Sequence, residues 1–328
     1  MANGELLTEL VRAHYQADPK RFSNVLSQLI SAESRSGHLQ IARRLRELRE
    51  TENGNGAGPM AVPIARASRD LASLLEVSYS KFAFADLIVP EESGAILRQY
   101  VREQHMSGVL ASHGLSPRRK LLLHGPPGTG KSMAAAVLAG EMKLPLARVR
   151  LELLFSRLLG ETAVALTEIF AEATRLKAVF LFDEFDALGR ARESGGDVGE
   201  IRRVVGTFLQ LLDADQSDSI FIAATNIPTS IDRALMRRFD DVIEFGLPTS
   251  AQIQMFLRSR LRGHGLPQRD IGRIAEDAVG LTLADLGNIA DSTRKAALLD
   301  GQEKILATAL RAAILEYRSR YEAFGQTI

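Results

Sequence analysis

Gly125-Pro126-Pro127-Gly128-Thr129-Gly130-Lys131-Ser132 follows the apolar run Leu121-Leu122-Leu123 and leads into Met133-Ala134-Ala135-Ala136-Val137-Leu138. A strand, a glycine-rich loop and a strong helix former in that order make a phosphate cradle. A phosphate needs several N–H donors converging on one point, so the backbone must pass without side chains in the way and a helix N-terminus must stand behind it. Gly125, Gly128 and Gly130 meet the first need, and the helix predicted over Met133 to Leu138 meets the second. The motif's mechanics put Lys131 on the β and γ phosphates of a nucleoside triphosphate and the Ser132 hydroxyl on Mg2+. Pro127, Thr129 and Met133 complete the expected contacts of the loop.

Outward from the loop, Leu146 to Val149, Val179 to Phe182, Ile220 to Ala223 and Val242 to Phe245 are further apolar runs of strand length, separated by amphipathic segments. This pattern predicts an α/β fold, a parallel sheet covered by helices on both faces. Val179 to Phe182 ends in Asp183-Glu184, which delivers two carboxylates to the edge where such sheets bind ligands. Asp183 is placed to hold Mg2+ through its water shell, Glu184 to polarise the attacking water, and Asp186 to cap the next helix. With ATP as the nucleotide, the reaction is hydrolysis to ADP and phosphate. A glycine turn in an ordinary βα unit and a solvated acidic strand end are the functionless alternatives. The two features support each other at a separation of about 50 residues.

Residues 1–50 carry helical spacing in Leu6, Leu10 and Val11, in Phe22, Val25, Leu26, Leu29 and Ile30, and in Leu39, Ile41, Leu45 and Leu48. They predict a bundle of three short helices that buries little by itself and docks on a partner or client. Residues 51–63, opening Thr51-Glu52-Asn53-Gly54-Asn55-Gly56-Ala57-Gly58-Pro59, read as a flexible linker. Residues 64–247 form the α/β domain, and 248–328, helical throughout after Gly246-Leu247-Pro248, form a small all-α domain.

The 328 residues carry 41 basic and 40 acidic side chains, a net charge of +1 that gives no global field for nucleic acid or an anionic membrane. With no cysteine there is no disulfide, thiolate nucleophile or cysteine metal site. The start lacks a signal peptide and no stretch reaches membrane-spanning length, so the expected location is the cytoplasm. The six histidines, among them His105, His113 and His124, show no ligand spacing, and no metal beyond Mg2+ is expected. Arg43 to Arg49 reads as a solvated helix face with interleaved acids, the alternative being a site for an acidic partner or nucleic acid.

Across about residues 82 to 320 the chain resembles the AAA branch of the P-loop ATPases, including their small C-terminal helical lid. The resemblance rests on the phosphate loop, on Phe84-Ala85-Asp86-Leu87-Ile88, on Phe208-Leu209-Gln210-Leu211-Leu212-Asp213 through Ile222-Ala223-Ala224-Thr225-Asn226, and on Ile231-Asp232-Arg233-Ala234-Leu235-Met236-Arg237-Arg238-Phe239-Asp240. It implies adenine-side contacts at Asp86 and Ile88, Asn226 beside the γ phosphate, and Arg237 and Arg238 as arginine fingers reaching a neighbouring subunit's nucleotide. A guanidinium supplied in trans stabilises the charge that develops on the transferred phosphoryl group, so activity would require a homo-oligomeric ring, a hexamer in this family. Either arginine could instead pair with a local carboxylate such as Asp240 or Asp241.

Gly280-Leu281-Thr282-Leu283-Ala284-Asp285-Leu286 resembles the lid turn that packs near adenine, which makes Ala284 a contact, although Leu283 stands where glycine is usual. No lid arginine matches a second sensor. Ser156-Arg157-Leu158-Leu159-Gly160-Glu161-Thr162 resembles the central-pore loop that grips polypeptide, with Leu158 where an aromatic is usual; an ordinary helix start with core leucines is the alternative. Arg190 to Gly199 would form a second loop on that face. More narrowly, the chain is similar to small bacterial AAA ATPases encoded beside a subtilisin-like protease in phage-defence or plasmid-incompatibility systems. That resemblance implies an ATP-driven remodeller delivering or activating a client protein. Proteolysis would come from the partner, since this chain has no nucleophile motif of its own. A nucleic-acid loader, which the charge balance disfavours, and an ATP-dependent assembly switch without threading are the alternatives.

Overall fold

The computed structural model describes residues 69–155, 161–185, 198–227, 236–264, 266–302 and 304–323, together with Val25 and Leu29. The chain divides into two compact units, Met1–Met60 and Ala61–Ile328. In the first, Val25 and Leu29 are helical and buried, one turn apart, where the apolar spacing predicts a helix. The rest of the expected bundle, the linker at 51–63, the loop at 156–160, Asp186 and most of the loop at 190–199 lie outside the described residues.

The second unit opens with α1 (Arg69–Leu74), β1 (Leu75–Tyr79), a 3-10 turn (Phe84–Asp86), α2 (Glu91–His105) and α3 (Ser107–Ser112). It continues through β2 (Lys120–His124), α4 (Lys131–Met142), β3 (Pro145–Val149), α5 (Leu151–Phe155), α6 (Glu161–Ala173), β4 (Val179–Phe182), α7 (Val198–Ala214), β5 (Ile220–Thr225) and β6 (Asp241–Glu244). Among the described residues four helices follow: α8 (Ser250–Arg260), α9 (Gln268–Asp277), α10 (Leu283–Leu299) and α11 (Ala307–Ala323).

The sheet order is β1-β3-β4-β5-β2-β6. All five strands expected from apolar runs are present and parallel to one another, while β1, which the runs do not reveal, pairs antiparallel with β3 at the edge. Every residue of β4 and β5 is buried, as continuous apolar strands between two helical layers must be. On one face, Phe170, Phe182, Phe208 and Phe221 pack ring against ring, with Phe170 and Phe221 stacked at 4.7 Å and Phe182 meeting Phe208 edge-on at 5.0 Å. On the other, α4 lays Ala134, Ala135, Leu138 and Ala139 against Leu121, Leu123, Ile222 and Ala224.

Helices α8 to α11 enclose a separate apolar cluster that includes Ile253, Leu257, Ile274, Ile289, Leu310 and Ile314. Thr249 starts α8 with reciprocal caps: its Oγ1 accepts from Gln252 N at 3.3 Å, and Gln252 Oε1 accepts from Thr249 N at 2.9 Å.

Candidate active site

The strand order explains why three distant segments meet. β5 lies between β4 and β2, so the C-terminal ends of these strands bring Asp183-Glu184, Thr225-Asn226 and the 125–130 loop to one edge of the sheet. Gly125 N donates to Thr225 O at 3.2 Å and Phe185 N to Ala224 O at 2.8 Å, which ties both flanking segments to the central strand. A cleft of about 440 Å3 opens there. Pro127, Gly128, Gly130, Lys131, Ser132, Met133, Asp183, Glu184 and Asn226 line it from the sheet side. Asp86 and Ile88 flank it, and Ala284 closes it from α10. Besides Gly125 at the start of the loop, the expected nucleotide contact absent from its walls is Thr129. Its side chain is buried and its Oγ1 donates to Pro126 O at 2.8 Å, so it tightens the loop from within.

Two glycines of the loop are required by their surroundings. A Cβ on Gly125, at φ +137°, would stand 2.1 Å from Phe245 O. One on Gly128, at φ +76°, would stand 2.7 Å from Thr282 Oγ1 and 3.0 Å from Ala284 Cβ. The second approach is how the helical cluster reaches the phosphate loop, and Ala284 N donates to Gly128 O at 3.1 Å.

Lys131 is buried, and its Nζ donates to Gly125 O and Pro126 O, both at 2.8 Å. The cation thus stands inside the loop, ready to exchange carbonyl partners for phosphate oxygens. Ser132 Oγ donates to Asp183 Oδ2 at 2.6 Å. A hydroxyl and a carboxylate touching at one point are hard oxygen donors of the kind Mg2+ takes, and no group of three or more ligating side chains is present among the described residues. The donor set therefore fits Mg2+ shared with a substrate's phosphates rather than a protein cage. Glu184 is exposed at φ +52°, a rare conformation for a non-glycine residue, with its N–H donating to Asp183 Oδ1 at 3.0 Å. The left-handed turn separates the two carboxylates, so one faces Ser132 while the other remains available to solvent.

Asp86 Oδ2 accepts from Ala83 N at 2.9 Å, so this carboxylate shapes the turn that carries Leu87 and Ile88. Phe84 N donates to Glu141 Oε1 at 2.7 Å, anchoring the same segment to α4. Leu87, Leu283 and Phe256 also line the cleft and supply apolar surface for a planar base. Phe256 is missed by the sequence reading because it sits beside the buried Ile253 and Leu257 of α8, where it reads as one more core residue.

Arg237 and Arg238 are exposed and neither lines the cleft of its own chain. Arg238 pairs locally, but with Asp213 of α7 rather than with the two carboxylates considered first. Asp240 accepts from the backbone N–H groups of Arg119 and Lys120, at 2.7 and 2.9 Å, and Asp241 pairs with Arg118 at 2.8 Å. Residues 231–235, which hold the rest of that segment, lie outside the described residues.

Residues 121–247 match the family described as ATPase family associated with various cellular activities (AAA). A protein of Sinorhizobium fredii described as an uncharacterized AAA family ATPase, y4kL, is 33% identical over 93% of this chain and 92% of its own length. The ATPase family gene 2 protein of Saccharomyces cerevisiae is 38% identical over 56% of this chain, which spans only 25% of that protein. The ATP-dependent zinc metalloprotease FtsH of Rhodococcus erythropolis is 32% identical over 80% of this chain, which spans 31% of that protein. Among solved structures, the FIGL-1 AAA domain superposes with a TM-score of 0.62 at 23% identity, covering 78% of this chain and 91% of that one. That likeness establishes the shared fold.

Proposed function

Because the chain belongs to the AAA family of ATPases, we propose that it hydrolyses ATP in the cleft between the sheet and α8 to α11 and uses the cycle, as a homo-oligomeric ring, to remodel a client protein. The observation that carries the reading is the convergence of Lys131, Ser132, Asp183, Glu184 and Asn226 on one cleft with an apolar wall opposite.

The base fits against Leu87, Ile88, Phe256, Leu283 and Ala284, while the phosphates lie along the 125–130 backbone at the N-terminus of α4. Lys131 exchanges its loop carbonyls for β and γ oxygens. Ser132 and Asp183 would hold Mg2+, which neutralises charge on the phosphates when bound. Glu184, solvent-exposed beside them, orients water in line with the γ phosphorus and draws off its proton, and Asn226 fixes the γ phosphate against it. Arg237 or Arg238, outside its own chain's cleft, serves the neighbouring subunit's.

The client is a protein, delivered to or activated for a separate protease that, on the resemblance to the protease-paired bacterial systems, is subtilisin-like and acts in antiviral defence. The near-zero charge gives no support to a nucleic-acid substrate, and no helix among the described residues is long and apolar enough to cross a membrane. The test is the mass of the Glu184→Gln protein with and without ATP, followed by capture of partners from the native host. An ATP-dependent ring that retains a protease or its client supports the proposal. A monomer indifferent to ATP, or one that retains nucleic acid alone, overturns it.

A further inference from the structure

The turn that closes the cleft from above is held from behind by the last helix of the fold. Thr282 and Asp285 cap α10 reciprocally: Thr282 N and Oγ1 donate to Asp285 Oδ2 at 3.0 and 2.6 Å, and Asp285 N donates back to Thr282 Oγ1 at 3.2 Å. Both sides of this cap are committed elsewhere. On the cleft side, Thr282 Oγ1 sits so close to Gly128 that a single added carbon would be 2.7 Å away, and Ala284 N donates to Gly128 O at 3.1 Å. On the far side, the second carboxylate oxygen, Asp285 Oδ1, accepts from Tyr317 Oη on α11 at 2.5 Å. Four groups thus run in sequence from the phosphate loop to α11: Gly128, the 282–284 turn, Asp285 and Tyr317.

We propose that Tyr317 is a positioning residue for nucleotide binding, acting through Asp285 on the turn that carries Leu283 and Ala284. The inference rests on the ATP reading of the cleft and extends it to a helix that does not line it. Asp285 lies at the first turn of α10, where its charge suits the helix terminus but leaves rotation about the Cα–Cβ bond open. Thr282 fixes one oxygen, and a short, charge-assisted bond from Tyr317 fixes the other, so the carboxylate and the turn it caps take one orientation. Removing the phenol hydroxyl leaves the cap in place but frees it to rock, which loosens Leu283 and Ala284 against a base. By linkage, a force that displaces α11 changes nucleotide affinity, and a bound nucleotide stiffens α11 by the same coupling.

The experiment is calorimetric titration of the full-length chain with ADP and Mg2+, paired with steady-state kinetics. Tyr317→Phe should bind ADP about three- to tenfold more weakly and raise the KM for ATP in proportion, with little loss of kcat. Arg318→Ala serves as control. It severs the bond from Arg318 Nη1 to Asp277 O at 2.7 Å, which also anchors α11 but touches nothing in the cap, and should leave ADP affinity as in wild type. On an Asp285→Ala background, Tyr317→Phe should add nothing. Unchanged affinity in Tyr317→Phe, or equal losses in Tyr317→Phe and Arg318→Ala, overturns the positioning role. Wild-type protein that fails to bind ADP overturns the ATP reading beneath it.

Discussion

Replacing Gly128 by alanine separates two costs that the structure assigns to different observables. The added Cβ would stand 2.7 Å from Thr282 Oγ1 and 3.0 Å from Ala284 Cβ, closer than van der Waals contact permits. Thr282 has little freedom to rotate away, because its Oγ1 both donates to and accepts from Asp285. The relief left is for the 282–284 turn to lift off the phosphate loop. Lifting breaks the 3.1 Å bond from Ala284 N to Gly128 O, worth about 1 kcal/mol. It also withdraws Leu283 and Ala284 from the base, worth about another 1 kcal/mol of apolar contact. Only the second loss depends on nucleotide, so ADP binding weakens by about fivefold. The broken bond and the backbone strain at φ +76°, about 1–2 kcal/mol for an L-residue, are present with or without nucleotide and fall on stability instead, lowering the melting temperature by about 8 °C. Calorimetric titration with ADP and Mg2+ reads the first cost and thermal unfolding the second. Gly246→Ala is the control, since nothing lies within 4 Å of its added carbon. ADP binding by Gly128→Ala within twofold of wild type would refute the claim that the helical cluster closes on the loop to hold nucleotide.

Lys131→Ala removes the buried cation of the loop and should weaken ATP binding by at least about tenfold, measured by titration with a fluorescent ATP analogue. Ser132→Ala removes the hydroxyl on Asp183 and should raise the Mg2+ concentration needed for half-maximal turnover several-fold, while ADP binding without Mg2+ holds. Arg237→Ala should bind ATP but lose hydrolysis, and mixing it with Lys131→Ala should restore phosphate release if the arginine acts across an interface; no restoration places its role within one chain. Away from the site, burial works against the charge of Glu103, yet hydrogen bonds from Arg118, with the Gln99 amide, hold its carboxyl below the usual carboxylate range. A lowered folded-state value means its stabilisation is full above the unfolded value, about 4.3, and fades as pH falls through the folded one. Glu103→Gln should therefore lower the melting temperature at pH 7, and the deficit should shrink in melts below about pH 4.

The parts of the fold legible in sequence are those whose signal is local. β2 and the loop after it, and β4 with Asp183-Glu184 at its end, are each written in one short stretch, because a strand buried on both faces must be apolar throughout. β1 escapes the same logic: Leu75-Glu76-Val77-Ser78-Tyr79 sits at an edge with one face wet, and its alternation is too short to stand out. The phosphate side of the site is equally local, since the chain itself bends into the cradle. The base side is not, because Phe256, Leu283 and Leu87 belong to three segments that only tertiary packing brings together. Ion pairing fails for the same reason. Arg238 finds Asp213, 25 residues earlier, and not its sequence neighbours Asp240 and Asp241, whose carboxylates are held by the start of β2 and by Arg118. Tyr317, 32 residues from the carboxylate it steadies, carries no local mark at all.

The central claim is that Glu184 activates water for attack on ATP held by the loop. It is tested most directly by incubating purified wild-type and Glu184→Gln proteins separately with ATP and Mg2+, then measuring released phosphate and protein-bound nucleotide in each sample. The account predicts that the Gln variant retains intact ATP while phosphate release falls by at least about a hundredfold. Phosphate release at the wild-type rate would contradict it, and place the catalytic base elsewhere.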